Sequence, residues 1–143
     1  MTADAFTVRT GSWGGNEPAL RFVRHAVFIV EQRVPAPLEW DDADAASLHA
    51  LAVDEEGEPI GCARLLPDGH IGRVAVLASW RRRGVGSALL RCLIDEARRQ
   101  GHRAVLLNAQ IDAIPFYARH GFVARGAAFD EAGIPHHAME RSL

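Results

Sequence analysis

The chain has 143 residues, 48% of them apolar and 24% charged, with a formal net charge of -2. That is enough apolar chain for one compact domain with a real core, and too little positive charge for a nucleic-acid binder. The longest uncharged apolar runs, such as His25 to Val30, fall far short of the ~20 residues of a bilayer span, and no basic stretch followed by an apolar one opens the chain. The expectation is therefore a cytoplasmic protein with neither a membrane nor a nucleic acid as partner.

In chain order, the first predicted helix runs from about Glu17 to Gln32. Asn16 suits its cap, Glu17 and Pro18 its first turn, and Leu20, Val23, His25, Val27, Phe28 and Val30 form a broad apolar stripe. Val34 to Ala46 carries Pro35, Pro37, Glu39, Asp41, Asp42 and Asp44, and reads as an acidic loop or short helix. Leu48 to Val53 and Pro59 to Leu66 flank an Asp54–Glu58 turn as a hairpin, and Ile71 to Leu77 forms a neighbouring strand. Helical spacing of Val85, Ala88, Leu89, Cys92, Leu93 and Ala97 predicts a helix to Gln100, stopped by Gly101. Ala104 to Asn108 reads as a buried strand, Asp112 as the cap of a short helix ending at His120, and Phe122 to Arg125 and Pro135 to Arg141 as the last strands. The class is α/β (α+β), with mixed strand directions.

Arg81-Arg82-Arg83-Gly84-Val85-Gly86-Ser87 places three cations just before a helix start. The dipole there already favours anions and disfavours arginine by a few tenths to about 1 kcal/mol per exposed charge. A bound polyanion would resolve that conflict, because Gly84 and Gly86 let the turn bring its N–H groups against phosphate oxygens. A solvated arginine turn is the plainer alternative. All sixteen basic residues are arginine, so Schiff-base chemistry and a Walker loop with its lysine are excluded. Cys62 and Cys92 have no metal-ligand spacing and read as buried free thiols. Adjacent His136 and His137 on a strand would face opposite ways, which argues against a shared metal.

Arg81-x-x-Gly84-x-Gly86 after a strand ending Gly72-Arg73-Val74-Ala75-Val76 resembles the acetyl-CoA-binding motif of the GNAT N-acetyltransferases. Gln110-x-x-Ala113-x-x-x-Tyr117-x-x-x-Gly121-Phe122 is similar to that family's following helix, with Gln110 where the family usually has Asn. Val27-Phe28-x-Val30-Glu31-Gln32, Glu39-x-Asp41-x-x-Asp44-x-x-x-x-His49 and Gly133-Ile134-Pro135-His136 resemble the smaller ElaA-like branch. The resemblance implies a mostly antiparallel central sheet of six to seven strands flanked by about four helices. It also implies acetyl-CoA as co-substrate, no metal, and a small-molecule or peptide amine as acceptor. A homodimer is common among such small enzymes.

By that resemblance, amides from Arg82 to Ser87 cradle the pyrophosphate while Arg81, Arg82 and Arg83 neutralise it. Val74, Ala75 and Val76 offer backbone to the pantetheine arm, and a strand-edge amide there holds the oxyanion. Val85, Gln110 and Phe116 complete the co-substrate contacts, and Tyr117, the only tyrosine, hydrogen-bonds or protonates the leaving thiolate. The reaction implied is direct attack by a neutral amine, without an acyl-enzyme. Glu31 and His136 are expected at the acceptor, with Glu31 and the Glu39–Asp44 run as an acidic entrance. Glu31, His49 and His70 stand as open candidates for the general base. A non-catalytic acyl-CoA sensor is the rival reading.

Overall fold

The computed structural model describes residues 5–143. Seven strands form two antiparallel sheets. The first has β1 (Phe6–Gly11), β2 (Leu48–Asp54), β3 (Pro59–Leu65) and β4 (Ile71–Val76) in sequential order, and the second has β5 (Ala104–Gln110), β7 (Ile134–Ser142) and β6 (Val123–Glu131), with β7 central. A single parallel bridge, His70 to Leu106, joins β4's start to β5. Beyond that bridge β4 and β5 share no ladder, so their facing edges form a gap.

Strand residues alternate between two apolar layers, as the pleat requires. Ala50, Ala52 and Ala63 pack with Leu89, Leu93, Val105, Leu107 and Met139 on one face, against helix α3 (Val85–Arg99). Leu51, Val53, Cys62 and Ala75 face Leu20, Val23, Val27 and Phe28 on the other, beneath helix α1 (Trp13–Arg24). Two short helices, α2 (Ala36–Glu39) and α4 (Ile114–Arg119), complete the shell. The architecture is the mixed α/β one expected, with seven strands and four α-helices among the described residues.

Several local expectations need correction. β1 was not foreseen, although Phe6 and Val8 alternate with polar neighbours; both pack against the α3-side core. Helix α1 begins at Trp13, because Ser12 Oγ accepts from Gly15 N at 3.4 Å and makes Ser12 the cap; Asn16 lies inside the helix and donates to Ser12 O at 2.9 Å. From His25 to Glu31 the helix widens into a π-helical segment. Its wider turn leads Gln32 N to Val27 O (3.0 Å), and both Phe28 and Gln32 come to line the cavity described below. Asp112 occupies a 3₁₀ turn and caps nothing; α4 starts at Ile114 with Pro115 in its first turn. β6 runs on to Glu131, six residues beyond the predicted end at Arg125, with an irregular register between Arg125 and Phe129, while β7 exceeds its predicted range by one residue at each end.

Candidate active site

Strand β4 is where the sheet's geometry becomes chemistry. Cys62 pairs with Ala75 and Arg64 with Gly72, so Arg73 and Val74 together oppose Ala63, which is a β-bulge. Arg73 takes the left-handed conformation there, with φ 50°, a disfavoured state for a side chain with a Cβ. Its guanidinium is held by the carbonyls of Leu38 and Glu39 (3.4 and 2.9 Å) and by Asp41 Oδ2 (3.3 Å). β4 is the last strand of its sheet, so Val74, Ala75 and Val76 lie on an edge that no further strand pairs.

Helix α3 starts where β4's connection ends. Gly84 sits at φ 86°, and no side chain caps the helix's first N–H groups. Gly86 lies close under Phe116: a Cβ there would approach Phe116 Cζ to 3.3 Å, so the ring would have to give by a few tenths of an ångström. Ser87 Oγ and His120 Nε2, 3.0 Å apart, tie this helix start to α4's end. Of the three arginines, Arg81 forms a two-pronged pair with Glu31 (2.6 and 2.6 Å) and donates from Nε to Val76 O at 3.0 Å. Arg83 stacks over Trp80 at 5.1 Å, and Arg82 holds a φ of 63° in the turn. Part of the local charge conflict is thus relieved within the protein by Glu31, whose carboxyl the Arg81 hydrogen bonds hold below its ordinary pKa.

A cavity of about 580 Å³ opens at the β4–β5 gap. Val74, Gln110, Tyr117 and His136 all line it, whereas Glu31, His49 and the arginine turn do not. Gln110 Nε2 donates to Gln32 Oε1 at 2.8 Å, fastening β5's end to the π-helical segment. Tyr117 is almost fully buried between Phe116 and Phe122, and burial pushes its phenol up to about 12. It therefore remains protonated at neutral pH and is a hydrogen-bond donor. His136 stacks near Phe129 and faces the cavity from β7.

The acidic run is not an open negative entrance. Glu39 and Asp44 are buried and Asp41 is partly covered, because Arg24, Arg64 and Arg73 draw all three inward. Arg24 donates to Glu39 Oε2 (2.8 Å) and Asp44 Oδ1 (2.7 Å), while Arg64 bridges Asp41 (2.7 and 2.8 Å) and Asp44 (2.9 Å). Trp13 and Trp40 cover Arg24 at 5.5 and 5.0 Å. Hydrogen bonding to Arg64 brings Asp41 down to about 2, whereas desolvation raises Glu39 above the usual carboxylate range. His49 is buried behind this network with Nε2 against Asp44 O at 2.9 Å, and burial lowers its pKa. Sequence reasoning missed the cavity roles of Arg64, Arg73, Asn108 and Glu131; only the bulge, invisible in a linear pattern, would have pointed to Arg73.

Both cysteines are free thiols. Cys62 is buried and desolvation pushes it up to about 12, while Cys92 is half-buried and also raised by desolvation. Neither has the lowered pKa of a nucleophile. Among the described residues, no three His, Cys, Asp or Glu side chains cluster as metal ligands, and no helix is long and apolar enough to cross a membrane.

A strand edge without a ladder partner, leading through a glycine turn to an uncapped helix start, fits the acetyltransferase class that the motifs around Gly84 and Tyr117 resemble. Residues 19–143 match the acetyltransferase (GNAT) domain, and the chain belongs to that family. It is 40% identical over 128 residues to an uncharacterized N-acetyltransferase, YjcF, of Bacillus subtilis strain 168, covering 85% of this chain and 91% of that protein. An acyl-CoA N-acyltransferase structure from Pseudomonas aeruginosa superposes with a TM-score of 0.85 at 30% identity, over 96% of this chain and 100% of that one. The Escherichia coli ElaA structure gives 0.85 at 28%, with the same two coverages. Membership carries the general activity, transfer of an acetyl group from acetyl-CoA to an acceptor.

Proposed function

We propose that this protein acetylates a primary amine by direct attack within a ternary complex, as a member of the ElaA-like branch acting in the cytoplasm. The observation that carries this reading is the β4 edge at Val74 and Ala75, which no strand pairs, with Val74 lining the cavity beside Tyr117 and the chain leading on to the uncapped start of α3. When bound, acetyl-CoA supplies an activated acetyl thioester. The residues fit it: free N–H groups from Val85 to Ser87 match a pyrophosphate, and Arg82 and Arg83 add positive charge beside them. Gly86 keeps the approach open beneath Phe116. Val74 and Ala75 offer main-chain groups to the pantetheine arm and a donor to the developing oxyanion.

Tyr117 serves as hydrogen-bond donor to the departing sulfur. With its phenol near 12 and an ordinary thiol near 8.5, complete proton transfer to thiolate is about three to four units uphill, so stabilisation by hydrogen bonding suits it better than full transfer. Gln110, fastened to Gln32, shapes the cavity wall beside the reacting centre. Among the described residues Glu131 is the lining carboxylate that no arginine holds, and its charge favours a cationic acceptor. Glu31 acts indirectly, holding Arg81 against the Val76 carbonyl rather than touching the acceptor.

Thiol release from acetyl-CoA, measured over benzylamine, spermidine and a tripeptide with a free amino terminus, tests this reading. Turnover with intersecting initial-velocity lines is expected. Parallel lines would indicate an acyl-enzyme, and tight binding without turnover of any amine would favour the sensor reading.

A further inference from the structure

The ammonium form of an acceptor must lose a proton before it attacks, and the cavity contains few groups free to take it. Glu39 is bound by Arg24 and Arg73, and Asp41 by Arg64 and Arg73. His70 is exposed at the bridge end of the cavity, with Nδ1 against Asp68 at 3.0 Å. Tyr117 is a donor at neutral pH. His49 and Glu31 do not reach the cavity lining.

His136 differs from all of these. Its Nδ1 lies 2.6 Å from Ile134 O, and a carbonyl only accepts, so the proton resides on Nδ1 and the Nε2 lone pair is left free. Nε2 lies 3.6 Å from Glu131 Oε2, a carboxylate on the other arm of the β6–β7 hairpin. Asn108 Nδ2 contacts the second oxygen of Glu131 at 3.5 Å. The ring is buried yet lines the cavity together with Tyr117. This is a fixed tautomer with an open acceptor nitrogen and a carboxylate placed to stabilise the imidazolium.

We infer that His136 is the general base of the reaction and that Glu131 is its positioning and charge-stabilising partner. The inference rests on the amine-acetyltransferase reading above. His136 Nε2 takes one proton from the acceptor ammonium, leaving a neutral amine whose lone pair forms the new C–N bond as the carbonyl pair moves onto oxygen. The C–S bond breaks as that pair returns. The amine's second proton passes to the sulfur, and the imidazolium releases the first to water beside half-exposed Glu131. One ammonium and one thioester thus become one amide, one thiol and one proton, with no other reactant needed.

His136→Asn is the sharpest variant, because its amide can reproduce the Nδ1–H donation to Ile134 O while lacking Nε2. With the panel amine of highest turnover, kcat at pH 7 should fall by about 10²-fold or more. The wild-type acid limb should be replaced by a rate that keeps rising with pH as the free amine accumulates. Other ionisable groups face this cavity: Glu131 from β6, Glu39 and Asp41 from the acidic segment, Arg64 and Arg73 from β3 and β4, His70 from the β3–β4 turn and Tyr117 from α4. A second variant is therefore needed to assign the limb. Glu131→Gln should move it to lower pH, since the imidazolium loses its companion charge. A kcat for H136N within threefold of wild type, or an unmoved limb in E131Q, overturns the inference. If H136N does not fold, E131Q decides alone. Acetyl-CoA affinity should be unchanged in both variants; if wild type itself acetylates no amine, it is the functional reading that fails.

Discussion

Replacing Arg24 with methionine probes the charge network that walls the cavity. Arg24 is 1% exposed and makes three polar contacts, to Glu39 Oε2 (2.8 Å), Asp44 Oδ1 (2.7 Å) and Glu39 O (3.1 Å). Removing one partner of a buried pair costs about 3–5 kcal/mol, mainly because the other charge is stranded. Here Arg73 still meets Glu39 at 3.0 Å and Arg64 still meets Asp44 at 2.9 Å, and methionine fills the slot between Trp13 and Trp40. The lower end, about 3 kcal/mol, is therefore expected. At roughly 2–4 °C per kcal/mol for a chain of this size, that is a melting-temperature drop of about 6–12 °C at pH 7. Scanning calorimetry and urea titration measure it. Adding Glu39→Gln to the methionine variant should recover part of the loss, because it removes the carboxylate that burial already penalises. A drop below 2 °C with no recovery in the double variant would refute the idea that these charges depend on one another.

Asp41 gives a pH signature. Its folded pKa, about 2, lies below its ordinary value near 3.9. Its stabilising contribution is therefore present above pH 4 and lost as pH falls towards 2. Asp41→Asn should flatten the acid side of a melting-temperature profile in that window, and a profile as steep as wild type would count against it. Glu31→Ala should cost less than about 1 kcal/mol in urea unfolding, since both partners of the Arg81 pair are about 40% exposed; a loss above 2 kcal/mol would contradict that. Tyr117→Phe should lower turnover by about 10- to 10²-fold while acetyl-CoA affinity stays within twofold. Unchanged kcat would remove Tyr117 from the chemistry.

The parts of the fold with strong local periodicity are legible in the sequence. Helix α3 is legible to within a residue because Leu89, Leu93 and Ala97 recur on one face; Gly84 and Gly86 stand out by the helix-start turn they form, and Tyr117 by resemblance to the family's helix motif. Features set by tertiary pairing are not legible. A π-helical segment shares the apolar composition of an ordinary helix, so His25–Glu31 gave no sign of its wider turns. The acidic run reads as an open entrance because its partners lie far along the chain, Arg24 being 15 residues from Glu39 and Arg73 34 residues beyond it. β6 was cut short because Gly126-Ala127-Ala128 carries no apolar alternation and the strand is exposed throughout. His136 was chosen by resemblance, but the fixed tautomer that gives it a chemical role depends on the Ile134 carbonyl and on Glu131 across the hairpin turn.

The account depends most on the β4 edge and the start of α3 forming a site for the acyl donor. Calorimetric titration of ligand-free protein with coenzyme A and with acetyl-CoA tests this directly. One saturable site per chain is predicted, weakened at least tenfold by the paired change Arg82→Ala and Arg83→Ala and little affected by H136N. No heat and no thermal stabilisation at millimolar ligand would contradict it.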